Sequence, residues 1–104
     1  MNRQLQHCQS ERVWLNLGSD ADHTVEVNPL SPPKGFPPGS KVTVFVAADT
    51  YTGAVPSKPE AGPAILNSQG DSVALPVKTK QAIFVHYDRG DSNTGSISVV
   101  VTQN

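Results

Sequence analysis

The sequence Gly-Asp-Ser occurs twice, at 70–72 and at 90–92, and offers two serines as candidate nucleophiles. A serine attacks a substrate only where a base activates it and a sharp strand-to-helix turn exposes its hydroxyl. No helical pattern follows Ser72 or Ser92, and both stand among turn-forming residues. We therefore predict that both serines are ordinary turn residues.

Histidines and paired aspartates are the side chains that could hold a metal ion. They are His7, His23 and His86, Asp20 with Asp22, and Asp88 with Asp91. The histidines lie in separate predicted elements, and none has a second nitrogen or sulfur ligand at the spacing of zinc sites. The aspartate pairs lack the dense oxygen ligands of a calcium loop. With no convergent acid, base, nucleophile or metal set, we predict no catalytic residue, no metal and no cofactor, and so a protein that is not an enzyme.

The tripeptide Arg-Gly-Asp at 89–91 has the sequence that integrins bind, and turn-forming residues surround it. A turn is the exposed setting in which such a tripeptide would be displayed. Three residues carry little specificity, so we interpret this tripeptide as a charged turn.

Better candidates for function lie in segments that a free domain does not need. Residues 1–11 are polar and have too few apolar side chains to order themselves, so they need a surface supplied by something else. Five prolines in 29–39 and three in 51–63 stiffen two connections and lower the cost of ordering them on association. The predicted partner-binding residues are Leu5, His7, Cys8, Arg12, Phe36 and Tyr51. The alternative for 1–11 is an edge strand on the protein's own sheet.

Alternating apolar residues, among which valine is the commonest, predict an all-β protein. Residues 41–47 and 81–87 are apolar on both faces, which is typical of central strands, and 96–102 alternate cleanly. Weaker patterns lie at 12–17, 23–27, 64–67 and 72–77. The residues predicted to be buried are Val44, Val46, Ile83, Val85, Val99 and Val101.

Turn-forming residues at 18–22 and 88–95 predict two hairpins, one joining 12–17 to 23–27 and the other joining 81–87 to 96–102.

Period-two alternation also assigns the two faces of the first strand. It places Val13, Leu15 and Leu17 on one face, with Trp14 and Asn16 on the other. The proline-rich 29–39 is expected to contain no ladder strand, because proline lacks the amide donor, and Pro76 predicts an edge position for 72–77.

Charge and hydropathy narrow the range of partners. Eight basic residues against nine acidic ones give a net charge of -1, and the basic residues are scattered, so nucleic acid is not an expected partner. No apolar run approaches the length of a membrane span, and the polar start does not resemble a signal peptide. Cys8 is the single cysteine, which favours a reducing compartment. We expect a soluble chain with no membrane partner and no signal peptide.

These observations predict one β domain at 12–104 after a polar N-terminal arm at 1–11. The expected fold is a small antiparallel β-sandwich, immunoglobulin-like or jelly-roll-like, or a compact barrel, with about seven to eight strands. The expected function is that of a non-enzymatic assembly protein. The form we favour is a bacteriophage virion component such as a capsid decoration (cement) protein that binds a capsid lattice. It would be assembled in the host cytoplasm and form a homo-oligomer, with a trimer preferred. The alternative is a carbohydrate- or ligand-binding β-sandwich module.

Overall fold

A computed structural model describes residues 2–5, 10–31, 41–51, 56–66, 71–88 and 96–103 of the chain. These residues form eight β-strands: β1 (Asn2–Leu5), β2 (Ser10–Leu15), β3 (Ala21–Ser31), β4 (Lys41–Ala48), β5 (Ala61–Leu66), β6 (Ser72–Val77), β7 (Gln81–Asp88) and β8 (Ser96–Gln103). No helix in this part of the chain is long and apolar enough to cross a membrane.

Four strand pairings nest within one another: β1 with β8, β2 with β7, β3 with β6, and β4 with β5. The nested pairings amount to one long hairpin of eight strands. Two further pairings, β3 with β8 and β4 with β7, fold this hairpin into two antiparallel sheets. Sheet A has the order β1-β8-β3-β6, and sheet B has the order β2-β7-β4-β5. The predicted β-sandwich is confirmed, and its strand order is that of a jelly roll.

The core lies between the inward faces of the two sheets. Its largest fully buried members include Ile83, Tyr87 and Ile97, which interleave with valines from both sheets. The six residues predicted to be buried are all at most 4% exposed. The strands with two apolar faces, β4 and β7, occupy the two central positions of sheet B, as their pattern predicted.

The two predicted hairpins are wrong. β2 and β7 belong to sheet B, whereas β3 and β8 belong to sheet A, so each supposed hairpin joins strands of different sheets. Turn-forming residues indicate that the chain reverses, but they do not determine which sheet receives the next strand. Among the described strands that follow one another in sequence, only β4 and β5 pair.

A β-bulge in β2 changes which of its side chains point inward. The register of β2 against β7 shifts between Arg12 and Trp14, so Val13 is the extra residue. Val13 is buried in the core and Trp14 packs against the same core, whereas Leu15 packs on the outer face of sheet B. Leu17 is 78% exposed. The prediction that Val13 and Leu15 share one face of the strand was therefore wrong, because a bulge breaks period-two alternation.

Pro29 lies within β3, opposite Ile97, so the expectation that 29–39 contains no ladder residue was wrong at its start. The amide of Val27 donates to the carbonyl of Asp71 at 3.0 Å, and amides two residues apart in a strand point to the same side. The nitrogen of Pro29 therefore faces the side of β3 where β6, which begins at Ser72, offers no partner. Among the residues that the structure describes, the missing amide donor therefore interrupts no ladder hydrogen bond.

The two edges of sheet A are β1 and β6. Pro76 lies in β6, at the edge position that was predicted for it. Within the predicted arm at 1–11, Asn2–Leu5 form β1 on the edge next to β8, and Ser10 begins β2. The described part of the arm therefore pairs within the sandwich, which is the edge-strand alternative.

Candidate functional site

Sheet B carries a second apolar cluster on the face that points away from the core. Phe45 lies opposite Phe84, and Ala47 lies opposite Ala82; residues directly opposite each other in a ladder share a face of the sheet. All four are buried, and two half-buried residues pack against them. We call this set the outer cluster: Leu15, Phe45, Ala47, Tyr51, Ala82 and Phe84.

The outer face of sheet A has a different character. Its strands present exposed polar residues, among them Glu26, Ser72 and Thr102. A sandwich requires only its inward faces to be apolar, and an outer face is ordinarily solvated. The apolar outer face of sheet B is therefore the feature of this fold that sheet packing does not explain.

Aromatic rings form the centre of the outer cluster. Phe45 and Phe84 stack with centroids 5.4 Å apart and planes 9° apart. Tyr51 stands edge-on to both, with centroids 5.8 Å from Phe45 and 5.6 Å from Phe84. Offset stacking and edge contacts are the favoured geometries for such rings. Tyr51 therefore folds back from the end of β4 to cover the two phenylalanines.

An ion pair crosses the same face. Arg12 lies opposite Phe84 in the ladder, and its Nη1 donates to Oδ1 of Asp49. Both side chains are partly exposed, so the pair contributes little to stability. Its structural consequence is that it connects β2 to the segment that carries Tyr51.

A groove of about 300 Å³ runs beside Tyr51 where β4 ends. Its apolar lining includes Ala48, Tyr51, Pro56 and Pro59, and two charged residues line it as well. These charged residues are Lys58 and Glu60, both exposed. The groove therefore combines an apolar floor with one charge of each sign.

Asn16 connects two loops at this end of the sandwich, 16–20 and 78–80. Its Nδ2 donates to the carbonyls of Ser19 at 3.0 Å and Val77 at 2.9 Å, and its Oδ1 accepts from the amide of Gly18 at 3.0 Å. Its backbone amide donates to Gln81 and its carbonyl accepts from Lys80. All the N–H donors of this buried residue are thus hydrogen-bonded, and each of its two oxygens accepts one bond. The loops 16–20 and 78–80 are one rigid unit.

The segments 16–20, 78–80 and the described parts of 49–60 lie at one end of the sandwich. The ladder pair Ala48 and Gln81 joins the second and third of them, and the bonds of Asn16 join the first and second. We call this region the three-loop end. Lys80 there has a φ of 65°, a conformation that non-glycine residues seldom adopt and that fits the third position of a tight turn.

Two large apolar side chains are exposed among the described residues: Leu17 at 78% and Ile65 at 57%. Leu17 belongs to the three-loop end. Ile65 lies opposite Thr43 in the ladder and so on the outer face of sheet B, the face of the outer cluster. Both residues were missed by the sequence interpretation, since exposure of a single leucine or isoleucine leaves no periodic signal.

The rings of Trp14 and His23 lie against each other inside the sandwich, with centroids 5.7 Å apart. His23 is fully buried, and its Nδ1 lies 3.2 Å from the carbonyl oxygen of Ala21. A carbonyl oxygen only accepts, so Nδ1 donates in this contact. The Nε2 of His23 and the indole Nε1 of Trp14 are buried without a hydrogen-bond partner. This pair is part of the interior, away from the outer surface.

The predicted partner-binding residues separate into three groups. Arg12 and Tyr51 come together on the outer face of sheet B, where both flank Phe84. The backbone of Leu5 pairs with that of Ile97 in sheet A, and so lies in the other sheet from Arg12. His7, Cys8 and Phe36 lie outside the described residues, as do Ser92 and the tripeptide at 89–91.

The residues considered for catalysis or metal binding have other roles where they are described. Ser72 is the exposed first residue of β6, a strand residue and not the turn residue that was predicted. The carboxylate of Asp20 accepts from the amide of Thr79 at 2.9 Å, which ties two loops of the three-loop end together. Within the described part of the chain, no three His, Cys, Asp or Glu residues are grouped as metal ligands would be.

Comparison of the chain with protein-family models, with curated proteins and with solved structures found no match. Function is therefore inferred from the geometry of the outer face of sheet B and of the three-loop end.

Proposed function

We propose that this chain is a non-enzymatic assembly protein that binds a protein lattice through the outer face of sheet B. The specific form we favour is a bacteriophage virion component, a capsid decoration protein located on the assembled particle. The observation that carries the proposal is the side chain of Ile65, which is 57% exposed on that outer face beside the buried outer cluster. An exposed apolar side chain on a rigid sheet is suited to be the anchor of a protein interface.

Two further features support a docking role. Arg12 stands on the same face as Ile65, and arginine is enriched at protein interfaces because its planar head pairs with carboxylates in two-pronged geometry. The jelly roll is also a fold of viral capsid domains and of lectins, which is an analogy at the level of fold alone. A lattice of many copies would multiply a modest affinity at each site.

The test is co-sedimentation with capsids of the virus that encodes the chain, prepared without this protein. We expect the wild-type chain to pellet with the capsids, and we expect Ile65→Glu and Arg12→Glu each to weaken binding by about tenfold or more, because each removes an interface anchor. The matched control for Ile65→Glu is Thr102→Glu, which adds the same charge on the exposed outer face of sheet A. Capsids that do not bind the wild-type chain, or equal binding by all three variants, would reject the proposal.

A carbohydrate- or ligand-binding module is the second candidate, and the groove beside Tyr51 favours it. Its volume of about 300 Å³ and its combination of a tyrosine ring with Lys58 and Glu60 suit a single sugar ring. Glycan-array binding that Glu60→Gln abolishes would support this candidate over the first.

A further inference from the structure

We propose that the three-loop end is a self-association surface, in which Leu17 of one copy enters the groove beside Tyr51 of the next copy. The inference deepens the proposed function, since it names a second copy of this chain as one partner. It uses a different surface from Ile65 and Arg12, so the two proposals can fail separately.

Leu17 is an exposed apolar side chain on a backbone that hydrogen bonds hold in place. It is 78% exposed, yet both residues beside it are held by hydrogen bonds: Asn16 by five, and Gly18 by the bond from its amide to Asn16. Because the backbone on either side is already ordered, binding of Leu17 costs only the rotamer freedom of its side chain. Leu17 is therefore preorganised to insert into an apolar site.

The groove offers a site of matching size and character on the same molecule. Its floor is built from Ala48, Tyr51, Pro56 and Pro59, and its volume of about 300 Å³ is small for a drug-sized ligand but ample for a leucine side chain. Two prolines in the wall fix their own φ angles, which lowers the cost of ordering this segment on binding. An apolar projection and an apolar groove on one chain form complementary halves of a single contact.

Position and charge allow copies to meet in this way. Leu17 and the groove lie on either side of Gln81, which accepts from the amide of Asn16 and pairs with Ala48. Copies arranged around a rotation axis at this end would each give one leucine and one groove, which closes a ring.

Asp20 and Lys80 are exposed near Leu17, and Lys58 and Glu60 line the groove, so each acid can face a base of the neighbouring copy. A trimer is the ring size we expect.

Sedimentation of the purified full-length chain over a range of concentrations tests the inference. We expect the wild type to self-associate, and we expect Leu17→Asp to weaken association by about 30-fold or more, since it removes one buried leucine per contact. Ala48→Phe, which fills the groove from an exposed position, should do the same. The control is Ile65→Asp, which removes the other large exposed apolar side chain of the described residues and should leave association unchanged. Circular dichroism should show all three variants folded.

Mixing the two defective variants provides a second readout. The Leu17→Asp chain keeps an intact groove and the Ala48→Phe chain keeps an intact leucine, so the mixture should form a heterodimer that neither variant forms alone. A wild-type chain that stays monomeric at about millimolar concentration, the weakest range of measurable affinity, would overturn the inference. So would a Leu17→Asp chain that associates like the wild type. Either result leaves the co-sedimentation test with Ile65 and Arg12 unaffected.

Discussion

Replacing Phe84 by alanine is expected to lower the free energy of unfolding by about 3 to 4 kcal/mol, although Phe84 lies outside the core between the sheets. The ring is only 5% exposed, stacks on Phe45 and meets the edge of Tyr51. Truncation removes buried apolar area and leaves a void that the rigid strands on either side cannot close. Chemical denaturation monitored by circular dichroism measures the change.

The matched control for this prediction is Ile65→Ala, on the same face of the same sheet. Ile65 is 57% exposed, so its truncation should change stability by less than about 1 kcal/mol. A loss below about 1 kcal/mol for Phe84→Ala as well would mean that the outer cluster is not a packed part of the fold. The pair of variants therefore separates residues that hold the outer face together from residues that it presents to a partner.

Replacing Asn16 by alanine is expected to cost about 2 to 4 kcal/mol, because it removes three hydrogen bonds, including the donor to the buried carbonyl of Val77. Asn16→Asp is a sharper variant. It preserves the shape and the acceptor for the amide of Gly18, but it sets a carboxylate against the carbonyls of Ser19 and Val77. It should therefore be at least as destabilising as alanine, with thermal unfolding as the measurement.

Ser19→Ala is the control for the asparagine variants. Its backbone carbonyl, which Asn16 contacts, is retained, and its own side chain is exposed, so its stability should stay within about 0.5 kcal/mol of the wild type. If Asn16→Ala also stays within that range, loops 16–20 and 78–80 do not depend on this residue. The fixed position that we assign to Leu17 would then lack its support.

The sequence predicts the strands of this protein better than it predicts their partners. Alternation identified β4, β7 and β8, and apolar residues on both faces correctly predicted that β4 and β7 are central. The same two-sided pattern accounts for the outer cluster. One face of each strand packs in the core, and the other carries Phe45 in β4 or Phe84 in β7. Strand partners were missed because pairing in a jelly roll joins strands distant in sequence, such as β1 and β8.

Local irregularities account for the remaining differences. The bulge at Val13 reversed the faces of the residues after it, and a bulge leaves no mark in an alternating pattern. Asn16 did leave a signal, since an asparagine two residues before a glycine is typical of a side chain that bonds the backbone amide two positions ahead. The groove beside Tyr51 could not be predicted, because it depends on how 56–60 folds back against the end of β4.

The most direct test of the docking proposal is hydroxyl-radical footprinting of the chain, free and bound to capsids. Ile65 on the outer face of sheet B should be modified about tenfold more slowly in the bound state, because the centre of an interface excludes water. Pro76, exposed on the outer face of sheet A, should react at the same rate in both states. Unchanged reaction of Ile65, with protection of Pro76 instead, would contradict the assignment of sheet B as the docking face.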